Sequence, residues 1–170
     1  MNATAASRSR ASLVVERVDY ADPAQGDALF RLLDGYARDP AGGGEPLDPA
    51  KKGRLLAGLA ATPNAFSLLA YLDGQAVGLA NCFTGFSTFA MKPVVNLHDL
   101  AVDPDFRGRG IGRALFAAVE SEARSLGAAK VTLEVLSGNE RAKGLYRSLG
   151  YGDYVLDPHM GQALFWQKVL

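Results

Sequence analysis

Residues 105–120 read DFRGRGIGRALFAAVE, with glycine at 108, 110 and 112 and arginine at 107, 109 and 113 threaded between them. The stretch runs straight into a helical pattern, although glycine is the costliest ordinary residue to order at a helix start. Few folds have a use for that combination. The first N–H groups of a helix have no intrahelical acceptor, and the helix dipole adds partial positive charge there. Glycines let the main chain approach an anion because no Cβ intervenes, and arginines add charge-assisted hydrogen bonds at the rim. The turn is thus built for a phosphate. "PVVNLHDLAV" (93–102) supplies the preceding strand, apolar enough for the middle of a sheet. The helix runs to about Leu126 and stops at Gly127.

Two common phosphate loops do not fit. A P-loop needs Gly-Lys-Ser/Thr, and no Lys or Ser/Thr follows Gly112. The dinucleotide fingerprint G-x-G-x-x-G needs a small residue at Arg113 or Leu115, depending on its starting glycine.

The rest of the chain predicts an α/β domain with a mixed sheet. Strands are expected at "SLVVERV" (12–18), "AFSLLAYL" (65–72), "QAVGLANCF" (75–83) and "KVTLEVL" (130–136), besides 93–102. "YGDYVLD" and "ALFWQKVL" read as a closing pair, which makes about seven strands. Asp73-Gly74 reads as a hairpin turn. Besides the helix after the glycines, three more are expected. One opens at Pro23 and carries Leu29, Phe30, Leu33, Tyr36 and Ala37; one follows Asp48-Pro49; one is capped by Asn139 and carries Ala142, Leu145, Tyr146 and Leu149. "PAGGGEP" (40–46) reads as a flexible loop.

A chain of 170 residues suits one domain, expected over 12–170 behind a short disordered lead at 1–11. Eighteen basic and eighteen acidic residues cancel, so no net field draws the protein to nucleic acid or to anionic lipid. Cys82 is the single cysteine, which rules out an internal disulfide framework and fits a reducing compartment. No apolar run is long enough to span a membrane, and "MNATAASRSRA" lacks a secretory apolar region, so a cytoplasmic location is expected. No His/Cys/Asp/Glu cluster has metal-ligand spacing, and no basic-aromatic interleaving suggests nucleic acid.

Arg107-Gly108-Arg109-Gly110-Ile111-Gly112 resembles the Arg/Gln-x-x-Gly-x-Gly/Ala motif of the GNAT acyltransferases. The likeness extends upstream through "LHDLAVDPDFRG" and downstream through "NERAKGLYRSLGY", covering roughly residues 65 to 155. It implies a GNAT fold in which strands 93–102 and 130–136 splay into a V, and acetyl-coenzyme A as co-substrate without a metal. The pyrophosphate would lie on the N–H groups of Arg107, Gly108, Arg109, Gly110, Ile111, Gly112 and Arg113. Pantetheine would run beside the main chain of Leu100, Ala101 and Val102, reaching Asn139 and Ala142, and Tyr146 would face the sulfur. Homodimers are common in such a family, and the C-terminal strand is a candidate to mediate one.

Acetyl transfer to an amine needs a base for the ammonium, a donor for the tetrahedral oxyanion and a proton for the leaving thiolate. The main-chain N–H near Leu100 is the candidate oxyanion donor, and Tyr146 the candidate acid, against a core role on its apolar stripe. His98 is the candidate base, because its ordinary pKa suits proton transfer near neutrality. "FSTFAMKPVVNLHDLAV" is also similar to the diamine and thialysine acetyltransferases of the family, where Ser-Thr-Phe, Lys-Pro and Leu-Glu-Asp recur and the Glu is the base; His98 stands at that Glu. Asp99 is expected on the opposite face of a regular strand, as a structural acceptor. Arg113, Lys143 and Arg147 are candidates for the 3′-phosphate, His159 for the rim of the acceptor pocket, and Cys82 for the core. Glu45, Asp48 and Glu134 are the carboxylates available to a polyamine.

The function expected is acetyl transfer to a small primary amine, such as a diamine or amino acid, by direct attack in a ternary complex. Two alternatives are acetylation of protein lysine or N-terminal amines, and a non-catalytic coenzyme A sensor.

Overall fold

A computed structural model describes residues 12–155 and 157–170. The expected lead at 1–11 lies outside the described residues. Five strands form one sheet in chain order: β1 (Leu13–Arg17), β2 (Ala65–Leu72), β3 (Gln75–Ser87), β4 (Lys92–Val102) and β5 (Val131–Leu133). The first three pairings are antiparallel and β4–β5 is parallel, so the sheet is mixed. Asp73 and Gly74 both have positive φ, 50° and 82°, in the tight turn that joins β2 to β3.

Four helices cover the sheet: α1 (Pro23–Ala37), α2 (Lys52–Ala61), α3 (Ile111–Ser125) and α4 (Glu140–Ser148). Each begins close to its expected signal. Asp22 caps α1 ahead of Pro23, and Asn139 accepts from the N–H of Ala142 at 3.1 Å to cap α4. On one face, Ile111, Leu115, Phe116 and Val119 of α3 pack on Phe66, Val77, Cys82 and Val95. On the other, Leu29 and Leu32 of α1 and Leu59 of α2 pack on Leu69, Leu79 and Ala101. β2 and β3 are buried from both sides, which is why they read as nearly continuous apolar runs. Gly78 is required where α3 crosses β3: a Cβ there would stand 2.8 Å from Ile111 Cγ2 and 3.0 Å from Leu115 Cδ1.

The expected strand count is corrected from about seven to five. Residues 151–155 and 163–170 form no strand, and one main-chain bond, Ala163 N–H to Tyr154 C=O at 3.4 Å, joins them. Alternation favours a strand only where a partner covers one face. Here Leu164, Phe165 and Trp166 stay more than 70% exposed. β5 is shorter than 130–136 for a related reason. It pairs with β4 only from Val95↔Val131 to Leu97↔Leu133, and beyond that point residues 134–136 have no strand partner. β4 itself continues to Val102, so the two strands part company after Leu97.

Candidate active site

The parting of β4 from β5 leaves the β5-facing edge of β4 without a strand from His98 to Val102. A cavity of about 770 Å³ opens there. His98, Leu100, Ala101 and Val102 of β4 line it, with Gly108, Gly110, Ile111, Gly112 and Arg113 of the glycine turn and Asn139, Ala142 and Tyr146 of α4. Arg107 also lines it. Of the residues expected on the glycine turn, Arg109 does not line it: its guanidinium lies 5.2 Å from the Phe106 ring centroid and donates to the Asp105 carbonyl at 3.5 Å.

The glycine turn has the geometry its composition requires. Gly108 and Gly110 take φ of +78° and +81°, values that L side chains rarely adopt, and Gly110 is the residue from which α3 starts. A Cβ on Gly112 would come within 3.0 Å of Leu145, so α3 and α4 meet closely at this point. None of the N–H groups from Gly108 to Arg113 finds an acceptor among the described residues, but Arg107 N–H, expected among these donors, is taken by the Pro104 carbonyl at 3.3 Å, which closes the short turn at Pro104–Phe106. Six open donors at a helix start fit an anion the size of a pyrophosphate.

The arginine side chains are differently employed. Arg107 donates through Nε to the Val102 carbonyl at 3.1 Å and through Nη2 to Asp39 at 3.3 Å. Arg113 donates to Ser148 Oγ at 2.8 Å. Lys143 is bonded to the Ser137 carbonyl and Glu140, and Arg147 pairs with Glu140, so the expected phosphate set is tied into local contacts of α4.

Tyr146 is partly buried and meets Phe116 edge-on, with ring centroids 5.3 Å apart. Burial, and secondarily the nearby Tyr36, push its phenol above the ordinary tyrosine value, so it holds its proton at neutral pH. Its ring belongs to the packed face, and the residue also lines the cavity. Tyr36, expected only as part of the core stripe of α1, lines the same cavity.

His98 sits in a β-bulge. Asn81 pairs with Asp99 and Cys82 with Leu97, so His98 is the extra residue of β4. The bulge overturns the expectation for Asp99. His98 packs edge-on against Phe83 at 5.4 Å, and Asp99 accepts from Asn81 Nδ2 at 2.9 Å. Phe83 and Asn81 lie two apart on β3 and so share a face. His98 and Asp99 therefore both contact the α1 side of the sheet, because the inserted residue resets the alternation. Asp99 is an acceptor, as expected, but for a group on the same face as His98. Cys82 is buried among apolar residues, and burial pushes its thiol up to about 12, as suits a core residue.

Other candidates separate. Glu134 lines the cavity, with both carboxylate oxygens 3.2 Å from Asn96 Nδ2. Glu45, Asp48 and His159 do not line it; Asp48 instead caps the turn at Pro49–Lys51. Arg31, Asp39, Asp103 and Arg141 line it without having been singled out in the sequence. Asp39-Pro40 repeats the capping signature of Asp48-Pro49, which was the one legible sign that residue 39 is placed deliberately. Among the described residues, no group of three or more His, Cys, Asp or Glu is placed to hold a metal ion.

A helix-covered mixed sheet, a strand pair that separates and a glycine turn of free donors together define an acyltransferase-type architecture. The acetyltransferase (GNAT) family profile matches residues 28–151, and the chain belongs to that family. Among curated relatives, it is 34% identical over 84 residues to the uncharacterized N-acetyltransferase YhfO of Bacillus subtilis, covering 49% of this chain and 56% of that protein. It is 39% identical over 71 residues to the ribosomal protein bS18-alanine N-acetyltransferase of Escherichia coli, covering 39% and 48%. The matches thus span about half the length of these relatives. In structure, the chain resembles an aminoglycoside acetyltransferase from an uncultured soil metagenomic sample, solved with sisomicin, at a TM-score of 0.74 and 21% identity over 93% of this chain and 96% of that one. It also resembles aminoglycoside N-acetyltransferase AAC(6')-Iy solved with CoA, at a TM-score of 0.71 and 17% identity over 95% and 97%. At these identities the structural likeness establishes the fold.

Proposed function

We propose that residues 12–170 form one catalytic domain that moves an acetyl group from acetyl-coenzyme A to a small primary amine. The observation that carries this reading is the convergence on one cavity of Gly108 and Gly110–Arg113, whose N–H groups are free, with the open edge of β4, His98 and Tyr146. The pyrophosphate takes the turn, and pantetheine follows β4 at Leu100 and Ala101 toward Asn139 and Ala142. The Val102 carbonyl already accepts from Arg107. His98 removes a proton from the acceptor ammonium, and the amine nitrogen attacks the thioester carbon. An N–H near Leu100 receives the oxyanion; the C–S bond then breaks and Tyr146 protonates the thiolate, while the second proton of the former amine leaves the new amide nitrogen and restores the phenol through solvent. The presence of both an acid and a base candidate favours turnover over a sensor.

Glu134 supports an acceptor carrying a second positive charge, because Asn96 holds its carboxylate at the cavity. Aminoglycoside acetyltransferases among the structural neighbours are consistent with a polyamine-like acceptor, whereas the bS18-alanine relative favours a protein N-terminus. A thiol-release assay with acetyl-coenzyme A decides between them. Diamines, amino acids, aminoglycosides and lysine or alanine-terminated peptides are compared, and product masses are read. Release with a small amine supports the proposal; release with peptides alone replaces it, and release with none returns the sensor.

Gly110→Ala is expected to weaken coenzyme A binding about tenfold by calorimetry, since an L residue at that φ costs about 1–2 kcal/mol in the turn that presents the donors. Unchanged affinity would remove the turn from the binding site. A cytoplasmic homodimer completes the proposal. Leu164, Phe165 and Trp166 leave an apolar C-terminal segment uncovered, and light scattering at twice 18.0 kDa would support a second copy as its cover. A monomeric mass overturns that part.

A further inference from the structure

Arg107 belongs by sequence to the donor turn, yet both of its side-chain bonds leave that turn. One holds the end of β4 and the other reaches Asp39, which follows α1. Asp39 in turn organises the segment expected to be a flexible loop. Its Oδ1 accepts from Ala41 N–H at 2.9 Å, and its carbonyl accepts from Gly42 N–H at 2.7 Å and Gly44 N–H at 3.2 Å. Gly44 N–H is shared with the Ala37 carbonyl at 2.9 Å. Tyr36 donates its hydroxyl to the Ala41 carbonyl at 3.5 Å, so the cavity-lining phenol rests on the same loop.

Asp39 therefore bonds the loop through both its carboxylate and its carbonyl, and its salt-bridge partner among the described residues stands on the donor turn. These contacts, chiefly the Ala41 N–H, hold its carboxyl below the usual range, so the pair with Arg107 is present at neutral pH. Both side chains are about one-third exposed, which leaves the pair open to adjustment rather than sealed in the core.

We propose that Arg107 and Asp39 are positioning residues that link the two halves of the cavity: coenzyme A bound on the glycine turn fixes Arg107, and through Asp39 orders the loop at residues 39–44 together with Tyr36. The physical cause is local. An anion that takes the free donors of Gly108–Arg113 removes main-chain freedom from the turn, and Arg107 is that turn's first residue. A guanidinium on a settled main chain loses less entropy in holding its two acceptors, so the loop it braces opens less often. Coupling of this kind is reciprocal: whatever orders the loop also favours the coenzyme-bound turn. The inference rests on the reading of the turn as the coenzyme site.

Amide hydrogen exchange at Ala41, Gly42 and Gly44 tests it, measured with and without coenzyme A, while calorimetry reports coenzyme A binding separately. In the wild type, coenzyme A is expected to slow exchange there about threefold or more. Asp39→Asn keeps an oxygen for the Ala41 N–H but loses the ionic pair; it should bind coenzyme A within about threefold of wild type and lose the response. Arg107→Lys, which cannot hold both acceptors with a planar fork, should lose the response as well. Exchange in the wild type that ignores bound coenzyme A overturns the linkage, as does a response that survives in both variants. Absence of coenzyme A binding to the wild type would instead sink the reading of the turn, and calorimetry alone reveals that.

Discussion

Tyr146→Phe is expected to lower kcat about 100-fold while coenzyme A affinity stays within about twofold, because general-acid assistance is typically worth 10²–10⁴ in rate. The substitution removes one oxygen and leaves the ring against Phe116, so the fold should not register it. Parallel calorimetry and steady-state kinetics separate binding from chemistry; equal kcat in the two enzymes would return Tyr146 to a packing role. A pH dependence follows with a definite sign. An acid must be protonated to act, and burial raises the Tyr146 phenol above its ordinary value. The rate should therefore hold through neutrality and fall only as pH rises past the usual tyrosine range. In Tyr146→Phe that alkaline fall should vanish.

Phe116→Ala is expected to cost about 3–5 kcal/mol of stability, the range for emptying a fully buried aromatic site. Phe116 is the largest fully buried side chain, and its ring meets Tyr146 at 5.3 Å and Tyr151 at 5.1 Å. Its removal withdraws the surface on which the candidate acid is seated. Thermal unfolding should shift by about 6–20 °C, given about 2–4 °C per kcal/mol for a domain of this size. Activity measured well below the transition should fall too, through kcat rather than through coenzyme A affinity. Phe116→Leu should recover much of the stability. A loss of stability with full activity would show that Tyr146 is held by other contacts.

The pairing of these two residues explains why Tyr146 was ambiguous as a letter in a helix. Spacing put it on an apolar stripe, and on that ground alone a core role was the simpler reading. Its position between Phe116 and the cavity makes the stripe and the site the same surface. Asp99 went the other way. Strict alternation separated it from His98, but alternation holds only while register holds, and a one-residue bulge opposite Asn81 and Cys82 cancels it. Nothing in "NLHDLAV" marks the insertion. The loop after α1 shows a third limit: three consecutive glycines read as freedom, and nothing local announces the bonds that Asp39, and Asp34 through Leu47 N–H at 2.7 Å, make there.

By itself the sequence determined what is local. The glycines with positive φ, the start of α1 at Pro23, the Asn139 cap of α4, the hairpin at Asp73-Gly74 and the burial of the central strands all depend on neighbours a few residues away or on average hydrophobicity. These are properties that propensity and periodicity encode. Only the tertiary structure decided where β4 and β5 part, that His98 stands in a bulge and that Arg107 bonds Asp39 across 68 residues of chain. It also decided that the apolar C-terminal segments find no strand. Each of these depends on whether a distant partner arrives to satisfy an open edge or an unpaired charge. No residue type carries that information alone, since the same letters serve equally well with the partner or without it.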